Sequence, residues 1–357
     1  MHEMQPPEAD AVFGVSRRRT AIWIAVLILL LIASLLAVGI GSVTIPPATV
    51  ARILTHQLFG FPRTPSWSNA QELIVTQVRF PRVLLGMVVG AGLAISGMAL
   101  QAMTRNILAE PYLLGVVGGA STGAALTILF GVGVGIGGSQ LTGSAFAGAL
   151  LAMALVLGLG RSGGQVTSTR LLLAGVAVGY VLNAATSFMI FAAHSAQGAQ
   201  DVLFWLLGSL GLADWNAVSI SGIIVAVAFL VLLGWSRRLD ALSIGDETAR
   251  SLGLSPSRVR VELLVVVALC VAAVVAVSGG IAFVGLIVPH VARLCTGSVH
   301  RVSLISAALI GAIFLVWADA LARAVLAPAD VPIGIITAVV GAPMLFILIR
   351  RYRAYGA

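Results

Sequence analysis

The chain has 357 residues, of which 59% are hydrophobic and 10% charged, with a formal net charge of +8 and a mean hydropathy of +1.06. A soluble domain carries about 45–50% apolar and about 25% charged residues, so this composition excludes a soluble enzyme, a nucleic-acid binder and a disordered regulator. All 21 basic residues are arginine. Without lysine the chain can hold neither a Walker A lysine nor a Schiff base.

Residues 1–20 read as a cytoplasmic tail. Ten apolar runs follow, each near the roughly 20 residues that cross about 30 Å of hydrocarbon: 21–40, 83–103, 113–131, 141–160, 170–192, 216–235, 259–277, 280–296, 303–326 and 333–350. The first, with no convincing cleavage site behind it, reads as a signal anchor. Residues 41–82, with Pro46, Pro47, Pro62 and Pro65, predict a long outer connection carrying short interfacial helices. Residues 197–212 are too short and too glycine-punctuated to cross; they predict a re-entrant or interfacial helix, with Trp205 and Trp215 near the interface. Residues 236–258 form the largest and most polar inner loop, and 351–357 a cytoplasmic tail. The expectation is one all-α integral membrane domain over 21–350, with ten transmembrane helices and both termini cytoplasmic.

Arginine placement sets the orientation. With the N-terminus inside, sixteen arginines fall on the inner side and five (Arg52, Arg63, Arg79, Arg82 and Arg323) on the outer side, as the positive-inside rule requires. The same rule accounts for the net charge without nucleic acid.

Catalytic constellations are missing. The histidines (His2, His56, His194, His290 and His300) are scattered, there is no HExxH, and no metal site is expected. Cys270 and Cys295 sit in apolar runs and read as buried small hydrophobes. Asp319 is the clearest intramembrane acid; Arg323, four residues on, shares its helix face and can neutralise it. In the inner loop, Gly245-Asp246-Glu247 opens a short helix that ends at Gly253, with both acids at its positive end. Such a helix is either a solvated connector or a docking knob for a cytoplasmic partner.

That loop, Leu239-Asp-Ala-Leu-Ser-Ile-Gly-Asp-Glu-Thr-Ala-Arg-Ser-Leu-Gly253, resembles the coupling loop of the permease subunits of type II ABC importers for iron–siderophores, haem and vitamin B12. Five further segments match that family in order: Arg79-Phe-Pro-Arg82 with Ala94-Ile-Ser-Gly97, Arg105-Asn-Ile-Leu-Ala-Glu-Pro-Tyr-Leu-Leu-Gly115, Arg170-Leu-Leu-Leu-Ala-Gly-Val176, Phe283-Val-Gly-Leu-Ile-Val-Pro-His-Val-Ala-Arg293 and Val331-Pro-Ile-Gly-Ile-Ile-Thr-Ala-Val-Val-Gly-Ala-Pro343.

The resemblance implies a ten-helix subunit working as a dimer, a homodimer on this expectation. Two cytoplasmic ATPase subunits would hold ATP and Mg, and a substrate-binding protein would dock outside. The chain itself would be no enzyme and bind no cofactor. It further implies an ATPase-coupling role for Gly245, Asp246, Glu247, Ala249, Leu252 and Gly253. Arg79, Arg82 and Arg323 would dock the binding protein's acids, against an alternative in which the first two anchor their helix. Asn106, Leu108 and Ser168 would narrow the cytoplasmic gate. Ile107 stands where the family has proline, which predicts a looser gate loop. Asn183, Thr186, Ser187, Met189 and Thr337 would line the pathway, against an alternative of plain helix packing.

The expected function is ATP-driven import of an iron chelate, siderophore or haem, across the cytoplasmic (inner) membrane. A corrinoid importer is the alternative. A different class, an ion-gradient-driven secondary transporter, would want more intramembrane acids and would leave the coupling loop unexplained.

Overall fold

The structure, a computed structural model, describes residues 28–41, 43–135, 139–162 and 165–355. The tail 1–20 with its arginines lies outside the described residues. Fourteen helices occur among them: α1 (Ile28–Gly39), α2 (Pro47–Phe59), α3 (Asn69–Thr104), α4 (Val116–Phe130), α5 (Gln140–Gly160), α6 (Ser168–Ala192), α7 (Ala196–Leu206), α8 (Trp215–Gly234), α9 (Ser236–Ile244), α10 (Asp246–Ser251), α11 (Pro256–Ser278), α12 (Val284–Thr296), α13 (His300–Val325) and α14 (Ile333–Tyr355). Helices α3, α5, α6, α8, α11 and α13 are long and apolar enough to cross a membrane; α1, α4, α12 and the Ile333–Ile347 part of α14 are shorter apolar helices. Each of the ten expected runs therefore contains one apolar helix. The helical part of α14 runs on to Tyr355, through most of the expected C-terminal tail.

The connections have local causes. Pro47 opens α2, where its missing N–H costs nothing. Ser68 and Gln71 form a reciprocal capping box at the start of α3. Within α3, residues Ile74–Arg79 widen into a π-helical stretch just before Pro81, where a residue without an N–H interrupts the regular ladder. Helix α7 is the short helix expected within 197–212, and it ends at Leu206. A short antiparallel ribbon, Arg161–Ser162 against Gln165–Val166, joins α5 to α6.

Helix α3 is the hub, packed on α8, α11, α12 and α13. Backbones meet closely there: a Cβ on Gly90 would overlap the Gly311 carbonyl, and one on Gly97 the Gly285 carbonyl. Apolar burial gains little between helices in lipid, so small residues that admit such contact supply the cohesion. Helix α12 begins at Phe283, a non-glycine residue at φ 70°, and the buried-side carboxylate of Glu110 accepts its N–H. Cys270 is buried as expected, whereas Cys295, in the last turn of α12, is exposed.

Candidate functional site

The loop predicted to dock a partner is a two-helix knob. Leu239 and Leu242 of α9 are fully buried and fix it to the bundle. Asp240 ties α9 to the start of α13, accepting from the His300 backbone N–H at 3.0 Å and contacting its Nδ1 at 2.6 Å. Helix α10 ends in a Schellman turn: Leu254 N–H donates to the Ala249 carbonyl and Gly253 N–H to that of Arg250, both at 2.9 Å. Gly253, at φ +78°, occupies the left-handed position this turn needs.

The six predicted coupling residues divide into two groups. Glu247, Leu252 and Gly253 are exposed on the knob, and Gly245 is half-buried. Asp246 and Ala249 point inward: Ala249 is fully buried, and Asp246 is held by Arg260. Arg260 grips both carboxylate oxygens, Nη1 to Oδ2 at 3.0 Å and Nη2 to Oδ1 at 2.5 Å, while Arg105 approaches at 3.5 Å. Hydrogen bonding from Arg260, with the added attraction of Arg260, Arg105 and Arg250, outweighs burial and lowers the Asp246 pKa from its ordinary 3.8. Asp246 is therefore held within the knob, while its neighbour Glu247 is exposed. Ile244, 70% exposed, and Arg250 are also exposed on the knob; no motif singled them out.

Arg260 also reaches the predicted gate. Its Nε donates to the Met103 carbonyl at 3.4 Å, the same oxygen that accepts from Ser168 Oγ at 3.1 Å. One carbonyl at the end of α3 thus joins Arg260 of α11, which holds Asp246, to the first residue of α6. Asn106 lies three residues beyond it, after Arg105 turns the chain at φ 53°. The Asn106 side chain accepts from Leu108 N–H at 3.0 Å and its carbonyl from Ala109 N–H at 3.0 Å. This Asx turn closes the loop without the family's proline, so Ile107 does not leave it open. Leu108 is exposed at the tip.

The outer arginines Arg79, Arg82 and Arg323 are 6%, 8% and 5% exposed. Arg82 Nε and Nη2 each lie 2.9 Å from Asp319 Oδ1, and its Nη1 lies 2.7 Å from Asp330. Arg323 Nε meets the other Asp319 oxygen at 3.0 Å, the pair expected from their spacing. Arg79 donates to the carbonyls of Val38, Gly39 and Val43, and Arg323 to those of Ala37 and Ile40. Two guanidiniums thus cap the end of α1, whose last carbonyls have no helical partner. The three arginines are turned into the subunit: Arg79 and Arg323 hold the end of α1, and Arg82 and Arg323 hold Asp319.

The predicted lining residues also separate. Asn183 and Ser187 are exposed on α6 and Met189 is half-buried. Thr186 is buried against α4, 3.1 Å from Thr122 Oγ1, and Thr337 is buried with its hydroxyl on Gly334 O. These two are packing residues. Around Asn183 and Ser187, α6 carries an exposed stripe of Leu173, Tyr180, Phe188 and Phe191, the last 88% exposed. No group of three or more metal-ligating side chains occurs among the described residues.

An apolar bundle with six helices long and apolar enough to cross a membrane, carrying a short polar two-helix knob, defines a multi-pass membrane protein. The chain belongs to the FecCD transport family, whose model matches residues 28–351. It is 41% identical over 87% of its length to the cobalamin import system permease protein BtuC of Halobacterium salinarum, covering 80% of that protein. It is 36% identical over 96% of its length to the vitamin B12 import system permease protein BtuC of Klebsiella pneumoniae, covering 97%. Among solved structures, an inward-facing metal-chelate type ABC transporter matches with a TM-score of 0.80 and 29% identity, over 93% of this chain and 99% of the other. The chain is thus an ABC importer permease of the inner membrane, in a family whose ATPase is a separate partner.

Proposed function

We propose that the cargo is a corrinoid of the vitamin B12 type and that the chain imports it as a homodimer of ten-span subunits with cytoplasmic termini. The names of the relatives at 36–41% identity support the corrinoid over the iron chelate expected from the motifs alone. The likeness to a metal-chelate type transporter keeps ferric siderophore or haem as the second reading. The exposed α6 stripe supports a subunit contact beside the pathway, with Asn183 and Ser187 at its polar points.

On this reading an ATPase subunit seats on Ile244, Glu247, Arg250 and Leu252. Its closure moves α10, and Asp246 carries that movement into Arg260. Because Arg260 and Ser168 share the Met103 carbonyl, α10, the end of α3 and the start of α6 shift as one unit. Alternating access then follows from rigid-body movement, with Asn106, Leu108 and Ser168 at the inner gate. A binding protein delivers the cargo outside. The single observation carrying this proposal is the continuous polar link from Asp246 through Arg260 to Ser168.

The test is ATP hydrolysis by the purified permease–ATPase complex with its binding protein in liposomes, offered cobalamin, a ferric siderophore or haem. Stimulation by cobalamin alone is expected. Stimulation by an iron chelate alone replaces the corrinoid reading with the second one.

A further inference from the structure

A cavity of about 850 Å³ lies at the outer end of the bundle, between α5 and α8, floored by α11 and roofed by α7. Ala273, Ala276 and Val277 form its floor, and Phe204 and Trp205 of α7 its roof. A second apolar chamber of about 230 Å³ continues it inward between α8 and α11 as far as Val231, and Ile224 lines both. From Ala217 to Val231 the groove follows α8 for about 21 Å, at about 1.5 Å per residue. That exceeds the depth of one leaflet, about half of a roughly 30 Å hydrocarbon core.

The charged groups of the groove are at its mouth, and Thr142, Ser221 and Ser278 add further hydroxyls to the lining of the larger chamber. Asp201 and Asp214 line the mouth, with Ser139 and Ser209, and no arginine or histidine lines the groove among the described residues. The two serine hydroxyls accept from the Thr142 and Gly211 N–H groups, which leaves both O–H protons free to donate. An ammonium suits the carboxylates, ester or phosphate oxygens suit the hydroxyls, and a long apolar chain suits the groove.

We propose that the α5–α8–α11 groove binds an outer-leaflet aminophospholipid, with its acyl chain along α8 and its ammonium at Asp201 and Asp214. The bound lipid lies beneath α7. The loop after α7 is stitched to two spanning helices: Ser209 N–H donates to Ser278 O at 2.8 Å, Ile333 N–H to Gly208 O at 3.0 Å and Gly334 N–H to Leu207 O at 3.1 Å. An occupied groove therefore steadies the outer ends of α11 and α14 as well. This inference rests on the proposed orientation of the chain and does not depend on the cargo.

The test is native mass spectrometry of the delipidated permease–ATPase complex, incubated with equal amounts of dioleoyl phosphatidylethanolamine and dioleoyl phosphatidylglycerol. One retained phosphatidylethanolamine per copy of this chain is expected, at roughly fivefold preference over phosphatidylglycerol, as exposed ion pairs allow. Ile224→Trp fills the groove from a half-buried position and is expected to lose the lipid. The double variant Asp201→Asn, Asp214→Asn keeps the α8 cap and is expected to retain a lipid without headgroup preference. No retained lipid in the unaltered complex, equal retention of both lipids, or retention by Ile224→Trp overturns the proposal.

Discussion

Replacing Asp246 by Asn keeps the shape of the side chain and removes its charge. Arg260 is then left with its side chain 3% exposed and the Met103 carbonyl as its remaining strong acceptor. Breaking a fully buried pair costs about 3–5 kcal/mol. Asp246 is itself 25% exposed and Asn can still accept one hydrogen bond, so a value of about 2 kcal/mol is expected here, discounted for solvent screening. That is roughly a thirtyfold shift between seated and unseated α10. Hydrogen exchange reads this opening directly: the Gly253 and Leu254 amides, which close the Schellman turn, are expected to exchange roughly thirtyfold faster. ATPase association is expected to survive, since Glu247 and Leu252 are untouched, while uptake per ATP falls. Unchanged amide protection in Asp246→Asn refutes an anchoring role for this carboxylate.

The depressed Asp246 pKa fixes the sign of its pH dependence. Its contribution is fully present above the ordinary value of 3.8 and is lost as pH falls through the still lower folded value. Protection of α10, corrected for intrinsic exchange, should be level between about pH 5 and 8; a drop inside that window contradicts the assignment. Arg82→Ala strands Asp319, whose side chain is 2% exposed, with Arg323 alone. A loss of about 3–5 kcal/mol is expected, seen as a lower thermal midpoint of the detergent-solubilised chain, whereas a docking residue would weaken binding-protein capture without moving that midpoint. Gly97→Ala drives a methyl into the Gly285 carbonyl and is expected to cost about 1–3 kcal/mol, read in the same melt. Leu252→Glu alters an exposed knob residue, so it should abolish copurification of the ATPase while leaving the melt of the permease unchanged.

The architecture was legible in the sequence because lipid imposes a strict length on apolar runs; even the short α7 showed itself by its glycines. The knob was legible as a helix with acids at its start and glycine at its end. Its internal division was not. Asp246 and Glu247 are neighbours with the same charge, and only the position of Arg260 on α11, fourteen residues on, turns one inward and leaves the other out. The neighbours of Arg79 within the subunit were not legible, because Arg79 and part of Arg323 reach backbone carbonyls at the end of α1, and such acceptors carry no residue-type signal. Asp319 and Arg323 were paired from spacing alone, yet Arg82 reaches the same carboxylate across 237 positions. Thr186 and Thr337 carry hydroxyls that suit a polar lining or a helix contact equally, so only packing could decide between them.

Coupling through the knob is tested most directly by cobalamin uptake into liposomes that contain the chain, its ATPase and ATP, with the binding protein outside, compared for the unaltered chain and Leu252→Glu. ATP-dependent accumulation by the unaltered chain and none by the variant is expected. Accumulation that is independent of ATP, or that survives Leu252→Glu, would contradict coupling through the α9–α10 knob.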